Sequence, residues 1–524
     1  MNRKERAILK IREARDRSDL SDRTDDRQVP RVPDTLLHTV SRAASCLAVM
    51  TMMALLSAIA TAQDASQLPK LAEARPLMLP AVIQKELPNG LKLVILEDHS
   101  QPALWLRLAL PAGSIRDPHD KIGLAQMTAG LLDKGTTTQT ESQIADTVDG
   151  LGASVGAGAG DDDLTVSANG LSAYTNTLFA LMADITLHPV FPQKEVDRAR
   201  TRILNSITAS LSEPATLANA ALDRLVYGEH PYGNYSHGTP ATLRGLTRDD
   251  IAKFHETYFA PNGSTLFIAG DIKADIAIKL AETALGAWQR KAIPSLPSPP
   301  QPSSRSGDKP LITLIDRPGA AQTEIRIGTL AKGYSDPDRT ASVVATAVLG
   351  LGQFEGRLTK EIRVKRGLTY GAASFFSRHA AAGEFQISTF TKNVSTGEVV
   401  KIALDEVNKL RLESTPQDEL QERKDFLNGS FAVSVATLPG VLNRLVQSVL
   451  LGKGPDDLTT YVSRVQAVTS SQIKEIMASL PGCLQVVLVG DAKEIEAQAK
   501  QLGTVTKIAA DDVDLLSPTL RSRK

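Results

Sequence analysis

The chain has 524 residues, of which 42% are hydrophobic and 23% charged, a composition that argues against disorder over most of its length. Its 59 basic and 59 acidic residues give a formal net charge of zero. That balance lacks the basic excess that phosphate backbones and anionic membranes select, so the sequence predicts no nucleic-acid partner. The length is sufficient for two or more domains.

Residues 1–62 have the pattern of an export signal with a long charged start. Arg42 precedes an apolar run over Cys46–Ala60, and the run ends in an A-x-A cleavage motif at Ala62. The run is short for a bilayer span, which takes about 20 apolar residues, although an uncleaved anchor is the alternative interpretation. Cleavage near Ala62 predicts a periplasmic mature chain with no membrane span, in which Cys483 is the one cysteine.

The mature chain is predicted to form two α+β domains, at 80–291 and 311–510, with a tail at 511–524. Apolar or alternating runs predict strands near the start of each half, at Gly90–Leu96, Leu104–Leu110, Leu311–Ile315 and Thr323–Gly328. Helical periodicity follows at Leu124–Leu132, Asn176–Leu187, Glu195–Leu211, Asp338–Leu349, Thr396–Leu410 and Gln417–Val433. Several strand pairs are expected to be antiparallel, and strands and helices in runs are typical of the α+β class.

Between these domains, the segment 292–310 is rich in proline and serine. Proline removes a backbone donor and favours extended geometry, so this segment is predicted to be a linker. The two halves that it joins also repeat each other. Thr247 and Thr469 each precede a helical pattern as a candidate N-cap, and each pattern leads to a buried-strand run that closes at Gly270 or Gly490. A period this long indicates duplicated domains rather than a solenoid.

Several motifs of the chain resemble the pitrilysin/insulinase family of zinc metallopeptidases. They are the strand Pro88–Asp98, the His-Pro-Tyr-Gly motif at His230–Gly233, the segment Tyr258–Asp271 and the second-half segment Arg363–Tyr370. These segments occur in the family's order along nearly the whole mature chain. The resemblance implies two homologous α/β sandwich-like domains with mostly antiparallel sheets, arranged as a clam-shell that encloses a peptide.

The sequence departs from that family at the zinc motif. The family's His-x-x-Glu-His places two ligands on one helix face and a general base between them. Here the three positions hold Gln126, Ala129 and Gly130, and the later Glu ligand aligns with Asn205 or Ser206. A glutamine amide is a poor zinc ligand, and alanine and glycine offer no side-chain donor. The sequence therefore predicts no metal site and no cofactor in this chain.

The second half retains the other functional pair of the family. The resemblance implies that Arg363 and Tyr370 contact the substrate and stabilise the negative oxygen of the transition state, as catalytic and substrate-binding residues. Gly367 is expected to end the helix that carries Arg363, and Tyr370 to begin the next strand. The alternative interpretation is a surface arginine and a half-buried strand tyrosine. Some bacterial members of the family divide these parts between two chains, so zinc is expected in a homologous partner subunit.

Three functions stay open on the sequence. The first is a heterodimeric metallopeptidase in which this chain is the non-zinc-binding subunit; the second is a peptide-binding or structural assembly subunit. The third, an independent hydrolase, is disfavoured because the G-x-S-x-G match at Gly152–Gly156 lacks the strand-to-helix context of a nucleophile elbow. That stretch instead predicts an edge strand, and Asp161–Asp163 after it a solvated turn rather than a calcium site.

Overall fold

The computed structural model describes residues 81–301, 309–351 and 355–522. The export signal predicted at residues 1–62 lies outside these ranges, as do residues 302–308 of the predicted linker. The described chain contains two six-stranded mixed sheets flanked by helices, so the predicted α+β class with two domains is confirmed. The predicted domain bounds stay predictions.

The first sheet has the strand order β1-β2-β6-β3-β5-β4. Its strands are β1 (Val82–Glu86), β2 (Lys92–Glu97), β3 (Ala103–Leu110), β4 (Ser154–Ala159), β5 (Leu164–Leu171) and β6 (Thr265–Gly270). β2 and β6 pair in parallel, and the other neighbours pair antiparallel. Every residue of β6 is buried, as its continuous apolar run predicts for a central strand.

The second sheet has the order β12-β7-β11-β8-β10-β9. Its strands are β7 (Leu311–Asp316), β8 (Gln322–Ala331), β9 (Ala372–Arg378), β10 (Gly383–Lys392), β11 (Gln485–Gly490) and β12 (Thr504–Ala509). Five strands match the first sheet in order and direction, with β7 and β11 in parallel as β2 and β6 are. The sixth differs, because β12 follows β11 in the chain and joins β7 in parallel, whereas β1 precedes β2 and joins it antiparallel.

Most helices of the first half pack in the same core as its sheet. The helices of this half are α1 (Leu124–Ala129), α2 (Glu141–Leu151), α3 (Thr175–Leu187), α4 (Gln193–Ser212), α5 (Pro214–Tyr227), α6 (Pro240–Gly245), α7 (Arg248–Tyr258) and α8 (Ala274–Leu285). Thr247 caps α7 in a reciprocal capping box with Asp250, which confirms its predicted role. Helix α1 is shorter than the predicted Leu124–Leu132, because Leu131 and Leu132 donate to carbonyls three residues back in tight turns.

The second half repeats most of these helices. They are α9 (Arg339–Leu349), α10 (Thr396–Leu412), α11 (Gln417–Ser434), α12 (Leu438–Leu450), α13 (Asp456–Thr459), α14 (Tyr461–Ala467), α15 (Ser470–Ser479) and α16 (Ala492–Leu502), with a π-helical turn at Thr359–Val364. Thr469 caps α15 in a second capping box, with Gln472, as predicted. Among the described residues, no single helix has the length and apolarity of a membrane span; α11 and α12 meet that test only jointly, across a bend of 113°.

The two halves exchange helices. Alternate residues of β2 point to opposite faces, so Leu93 and Ile95 pack in the first half's own core while Val94 and Leu96 face α12 of the second half. Reciprocally, α5 of the first half packs Leu217, Ala221, Leu222 and their neighbours on Ile315, Val487 and Val489 of the second sheet. Each half thus completes the other's core, and the halves contact each other directly.

Candidate functional site

Helix α1 occupies the position of the family's zinc helix, and its start is tightly fixed. Gly123 precedes it with φ of +98°, where a Cβ atom would lie 2.9 Å from the carbonyl oxygen of His237. The buried Asp117 carboxylate accepts hydrogen bonds from the amides of Gly123 (2.8 Å) and Ala125 (2.9 Å). Burial outweighs these amides and raises the pKa of Asp117 to about 7. The start of α1 is therefore fixed by the backbone of Gly123 and the carboxylate of Asp117.

The three zinc-motif positions on α1 are used for packing. The Nε2 of Gln126 donates to the carbonyl oxygen of Ala159, at the end of edge strand β4, over 2.6 Å. Ala129 is 2% exposed inside the first-half core. Gly130 ends the helix with its amide on the carbonyl oxygen of Gln126. The side-chain amide of Gln126 is thus engaged with backbone, and its two neighbours have no donor atom for a metal.

The fourth position does not restore a metal site either. Asn205 and Ser206 are exposed on α4. Asn205 lines an open groove together with three basic side chains, Lys194, Arg198 and Arg202, and one carboxylate, Asp197. Throughout the described ranges, no group of three or more His, Cys, Asp or Glu residues is arranged to hold a metal ion. The residues that replace the family's ligands therefore do not fit zinc.

The Arg363–Tyr370 segment of the second half is more exposed than the zinc-motif positions of α1. The π-helical turn Thr359–Val364 presents a half-buried Arg363 and is followed by the C-cap Lys365. Gly367 lies further along, in the left-handed region at φ of +64°. The amide of Gly367 donates to the carbonyl oxygen of Arg363 over 2.8 Å. Tyr370 lies two residues before β9 rather than at its start, and its side chain is 78% exposed.

The backbone around Tyr370 is fixed although its side chain is exposed. The Oγ1 of Thr391 on β10 donates to the carbonyl oxygen of Leu368 (2.6 Å), and the Oγ1 of Thr389 donates to that of Gly371 (2.9 Å). On the other side, the Oγ1 of Thr359 donates to the carbonyl oxygen of Ala372 over 3.0 Å. These three bonds hold the chain on both sides of Tyr370 and limit the positions that the phenol can reach.

Three charged residues near Arg363 form ion pairs with one another. The carboxylate of Glu361 lies 2.5 Å from Nζ of Lys365 and 2.7 Å from a guanidinium nitrogen of Arg366. Hydrogen bonds from these two cations hold the pKa of Glu361 below its ordinary value. The two sets of predicted site residues lie in different halves of the chain, one on α1 and the other on the segment before β9.

The acidic turn Asp161–Asp163 is half-buried, and the Asp161 side chain keeps 43% of its surface exposed. The hydroxyl of Tyr232 donates to Oδ1 of Asp162 (2.5 Å), and the amide of Ala380 donates to Oδ2 (2.9 Å). The ring of His379 stacks on Tyr232 with centroids 4.2 Å apart. The His-Pro-Tyr-Gly motif thus joins the β4–β5 turn of the first half to the β9–β10 turn of the second.

Two carboxyl groups at the junction of the halves were not predicted. Asp223 on α5 shares a hydrogen bond with Glu384 on β10, which is 2% exposed. Burial raises the pKa of Asp223 to about 7, and burial together with Asp223 raises that of Glu384 well above its ordinary value. Glu384 alternates with apolar residues at the start of β10, and a buried carboxyl group there needs a partner.

The fold defines the class of protein: a duplicated α+β chain in which Gln126, Ala129 and Gly130, the residues predicted at the degenerate zinc motif, serve packing. Comparison with known families agrees. Residues 92–239 match the description "Insulinase (Peptidase family M16)", and residues 245–427 match "Peptidase M16 inactive domain". The chain belongs to peptidase family M16, which confirms the resemblance to the pitrilysin/insulinase group.

Individual relatives are similar over most of their length. A crystal structure of a peptidase M16 inactive domain from Pseudomonas fluorescens superposes with a TM-score of 0.73 at 26% identity, covering 78% of this chain and 98% of that one. The "Non-peptidase homolog YmxG" of Helicobacter pylori is 25% identical over 386 residues, 73% of this chain and 87% of the relative. An uncharacterised zinc protease of Streptomyces coelicolor is 23% identical over 436 residues, 81% and 94% of the two chains.

Proposed function

We propose that this chain is the non-zinc-binding subunit of a heterodimeric M16 peptidase and supplies Arg363 and Tyr370 to peptide hydrolysis at a zinc-bearing partner chain. The observation that carries the proposal is the contrast between the two sites. Tyr370 is 78% exposed on a fixed backbone, whereas Gln126 and Ala129 are engaged in packing. A large exposed side chain on a rigid support is suited to contact another molecule.

The chemistry of the pair fits that role. Peptide hydrolysis passes through a tetrahedral intermediate in which negative charge develops on oxygen. A guanidinium and a phenol are strong donors, and donors fixed before the reaction stabilise this charge without reorganisation. The three threonine bonds around Tyr370 provide such fixation. No step of this chemistry needs a metal bound to this chain.

The direct packing of the halves supports the need for a second chain. The inner sheet faces are covered by α5 and α12, so the peptide-enclosing clam-shell of the resemblance requires a further subunit in this proposal. A homologous chain that carries the zinc motif is the partner that supplies the missing chemistry. The export signal predicted at residues 1–62 would place the pair in the periplasm, where unfolded polypeptide is the substrate class.

The experiment compares turnover of fluorogenic peptides by this chain alone, by a zinc-motif chain alone and by the mixture, with and without a chelator. We expect chelator-sensitive activity that is fastest in the mixture. Tyr370→Phe and Arg363→Ala are each expected to lower the kcat of the mixture about 10²-fold, as does loss of an oxyanion donor elsewhere. Matched controls are Tyr174→Phe and Arg244→Ala, exposed residues of the first half. Unchanged kcat with both test variants would refute the proposal.

A second candidate function is a peptide-binding or structural assembly subunit. The bond from Gln126 to Ala159 favours it, because the former zinc helix now supports edge strand β4. A relative that carries the name "Non-peptidase homolog" is consistent with either function. The two differ in the same assay: a structural subunit would be required for activity of the mixture, while Arg363→Ala and Tyr370→Phe would leave kcat intact.

A further inference from the structure

A cavity of about 300 Å³ in the second half is lined by four arginines. We name it the arginine pocket: Arg339, Arg378, Arg444 and Arg464 surround it, together with one carboxylate, that of Asp457. It lies between α9, α11, α12 and α14, and none of its lining residues belongs to the Arg363–Tyr370 segment. Four guanidinium groups around one small cavity are unusual, because each buried charge is expected to have a partner.

Two of the four arginines have a structural role. A guanidinium nitrogen of Arg464 lies 2.7 Å from Oδ1 of Asp457, and Arg339 binds the same carboxylate oxygen. Arg464 also donates to the Oγ1 of Thr340 over 2.7 Å. Asp457 therefore fixes Arg339 and Arg464 in place and neutralises one of their two charges.

The other two arginines are only partly engaged by described residues. Arg378 donates one hydrogen bond, to the carbonyl oxygen of Arg339 (2.9 Å), and Arg444 donates one, to the hydroxyl of Ser434 (3.2 Å). A guanidinium carries five N–H donors, so both retain N–H groups at the cavity. The carboxylate of Asp336 also acts on Arg378, but Lys332 lies 3.6 Å from Asp336 and offsets its charge.

The charge balance of the pocket is positive. Four guanidinium groups and one carboxylate leave an excess of three positive charges in a partly desolvated space. Burial lowers the pKa of Arg378 to about 10 and also lowers those of Arg339 and Arg464, and all three stay charged at neutral pH. Mutual repulsion of this kind is relieved by a bound anion.

We propose that the arginine pocket binds a small polyanion of the pyrophosphate class. Three excess charges match a ligand with two or three negative charges better than the single carboxylate of a peptide end. Bidentate donors such as Arg378 and Arg444 fit phosphoryl oxygens. The stacked rings of Phe431 and Tyr461, 4.2 Å apart, form an apolar wall that reduces the local dielectric screening.

A neighbouring cavity of about 620 Å³ shares Arg378 and Gln447 with the arginine pocket. It also contains the carboxylates of Asp161, Asp162 and Asp163, which repel an anion. The ligand is therefore assigned to the smaller cavity, and the larger one can provide its entry. This assignment does not depend on the proposed peptidase function.

The test is calorimetric titration of the full mature chain with pyrophosphate at low salt. We expect one site per chain, weaker binding of inorganic phosphate, and affinity that falls as salt is added. Arg378→Gln and Arg444→Gln are each expected to weaken binding at least about tenfold, because each removes a charged donor from a desolvated site. Arg244→Gln, at an exposed arginine of the first half, is the matched control and should bind like the wild type.

Two further variants guard against a folding artefact. Arg378→Lys and Arg444→Lys keep the charge but lose the planar fork, so they should bind with affinity between wild type and the glutamine variants. Circular dichroism checks that every variant is folded. Wild-type affinity in the folded glutamine variants would overturn the proposal, since the ligand would then lie elsewhere. Failure of the wild type to bind millimolar pyrophosphate would overturn it as well.

Discussion

In the first half, helix α1 has become part of the scaffold: its glutamine supports an edge strand and its alanine fills the core. In the second half, the segment that carries Arg363 and Tyr370 is also fixed by hydrogen bonds, but the bonds involve its backbone and leave the phenol exposed. The halves share five strands in order and direction. Under the proposed function, one of the two duplicated domains supplies packing and the other supplies chemistry, without a change of fold.

The largest effect on stability is expected from returning a functional residue to α1. Ala129→Glu restores the family's general base but places a carboxylate where 2% of the side chain is exposed. We expect the free energy of unfolding to fall by about 3–5 kcal/mol, because the new charge has no buried partner and the core is overpacked. Urea unfolding followed by circular dichroism measures the change.

The control for that substitution is Ala209→Glu, at an exposed position of α4. It should change stability by less than about 0.5 kcal/mol, as surface substitutions usually do. If Ala129→Glu were tolerated equally well, α1 would not be committed to packing, and the contrast between the halves would be lost.

The elements of this fold were largely predictable, but the contacts between its halves were not. Continuous apolar runs found β6 and β11, and Thr247 and Thr469 marked the helix starts, because these signals are local. The burial of Asp162 depends on Ala380, which is remote in sequence, and so could not be inferred from its acidic neighbours. For the same reason the apolar face of α5 predicted burial without showing that the second sheet covers it.

At the candidate site, the side chains could be identified from the resemblance to the family, but the residues that surround them could not. Gly367 was expected to end the Arg363 helix, but the helical turn already ends at Val364, and Gly367 follows it with a positive φ that glycine adopts readily. The threonine bonds that hold Leu368 and Gly371 were not foreseen, since they come from the next strand, β10. The partner chain and the roles of Arg363 and Tyr370 stay predictions.

A second test concerns the carboxyl pair between the halves. The folded chain binds protons at Asp223 and Glu384 more tightly than the unfolded chain, whose carboxyl pKa values are about 4. Stability from this pair is therefore complete below about pH 4 and declines as the pH rises through about 7. Glu384→Gln removes one titrating group, so we expect its free energy of unfolding to depend less on pH. Compared with the wild type, the variant should gain stability on the order of 1–2 kcal/mol between pH 5 and pH 8.

Urea unfolding of the wild type and Glu384→Gln at pH 5 and pH 8 measures this change in stability. Because the two proteins share all other titrating groups, the contributions of those groups cancel in the comparison. Glu282→Gln, at an exposed position of α8, is the control and should keep the wild-type dependence. If Glu384→Gln kept it too, the two carboxyls would not share a proton in the folded chain. The junction would then be held by its apolar contacts alone.

The smallest changes in stability are expected from substitutions at Gln126 and Tyr370. Gln126→Ala removes the bond to Ala159 and should lower the free energy of unfolding by about 1 kcal/mol, the typical net value of a hydrogen bond. Tyr370→Ala removes a side chain that is 78% exposed and should change it by less than about 0.5 kcal/mol. The effects on turnover of the reconstituted pair should be reversed, with Gln126→Ala near wild type. A destabilising Tyr370→Ala would mean that the phenol packs in this chain rather than serving a partner.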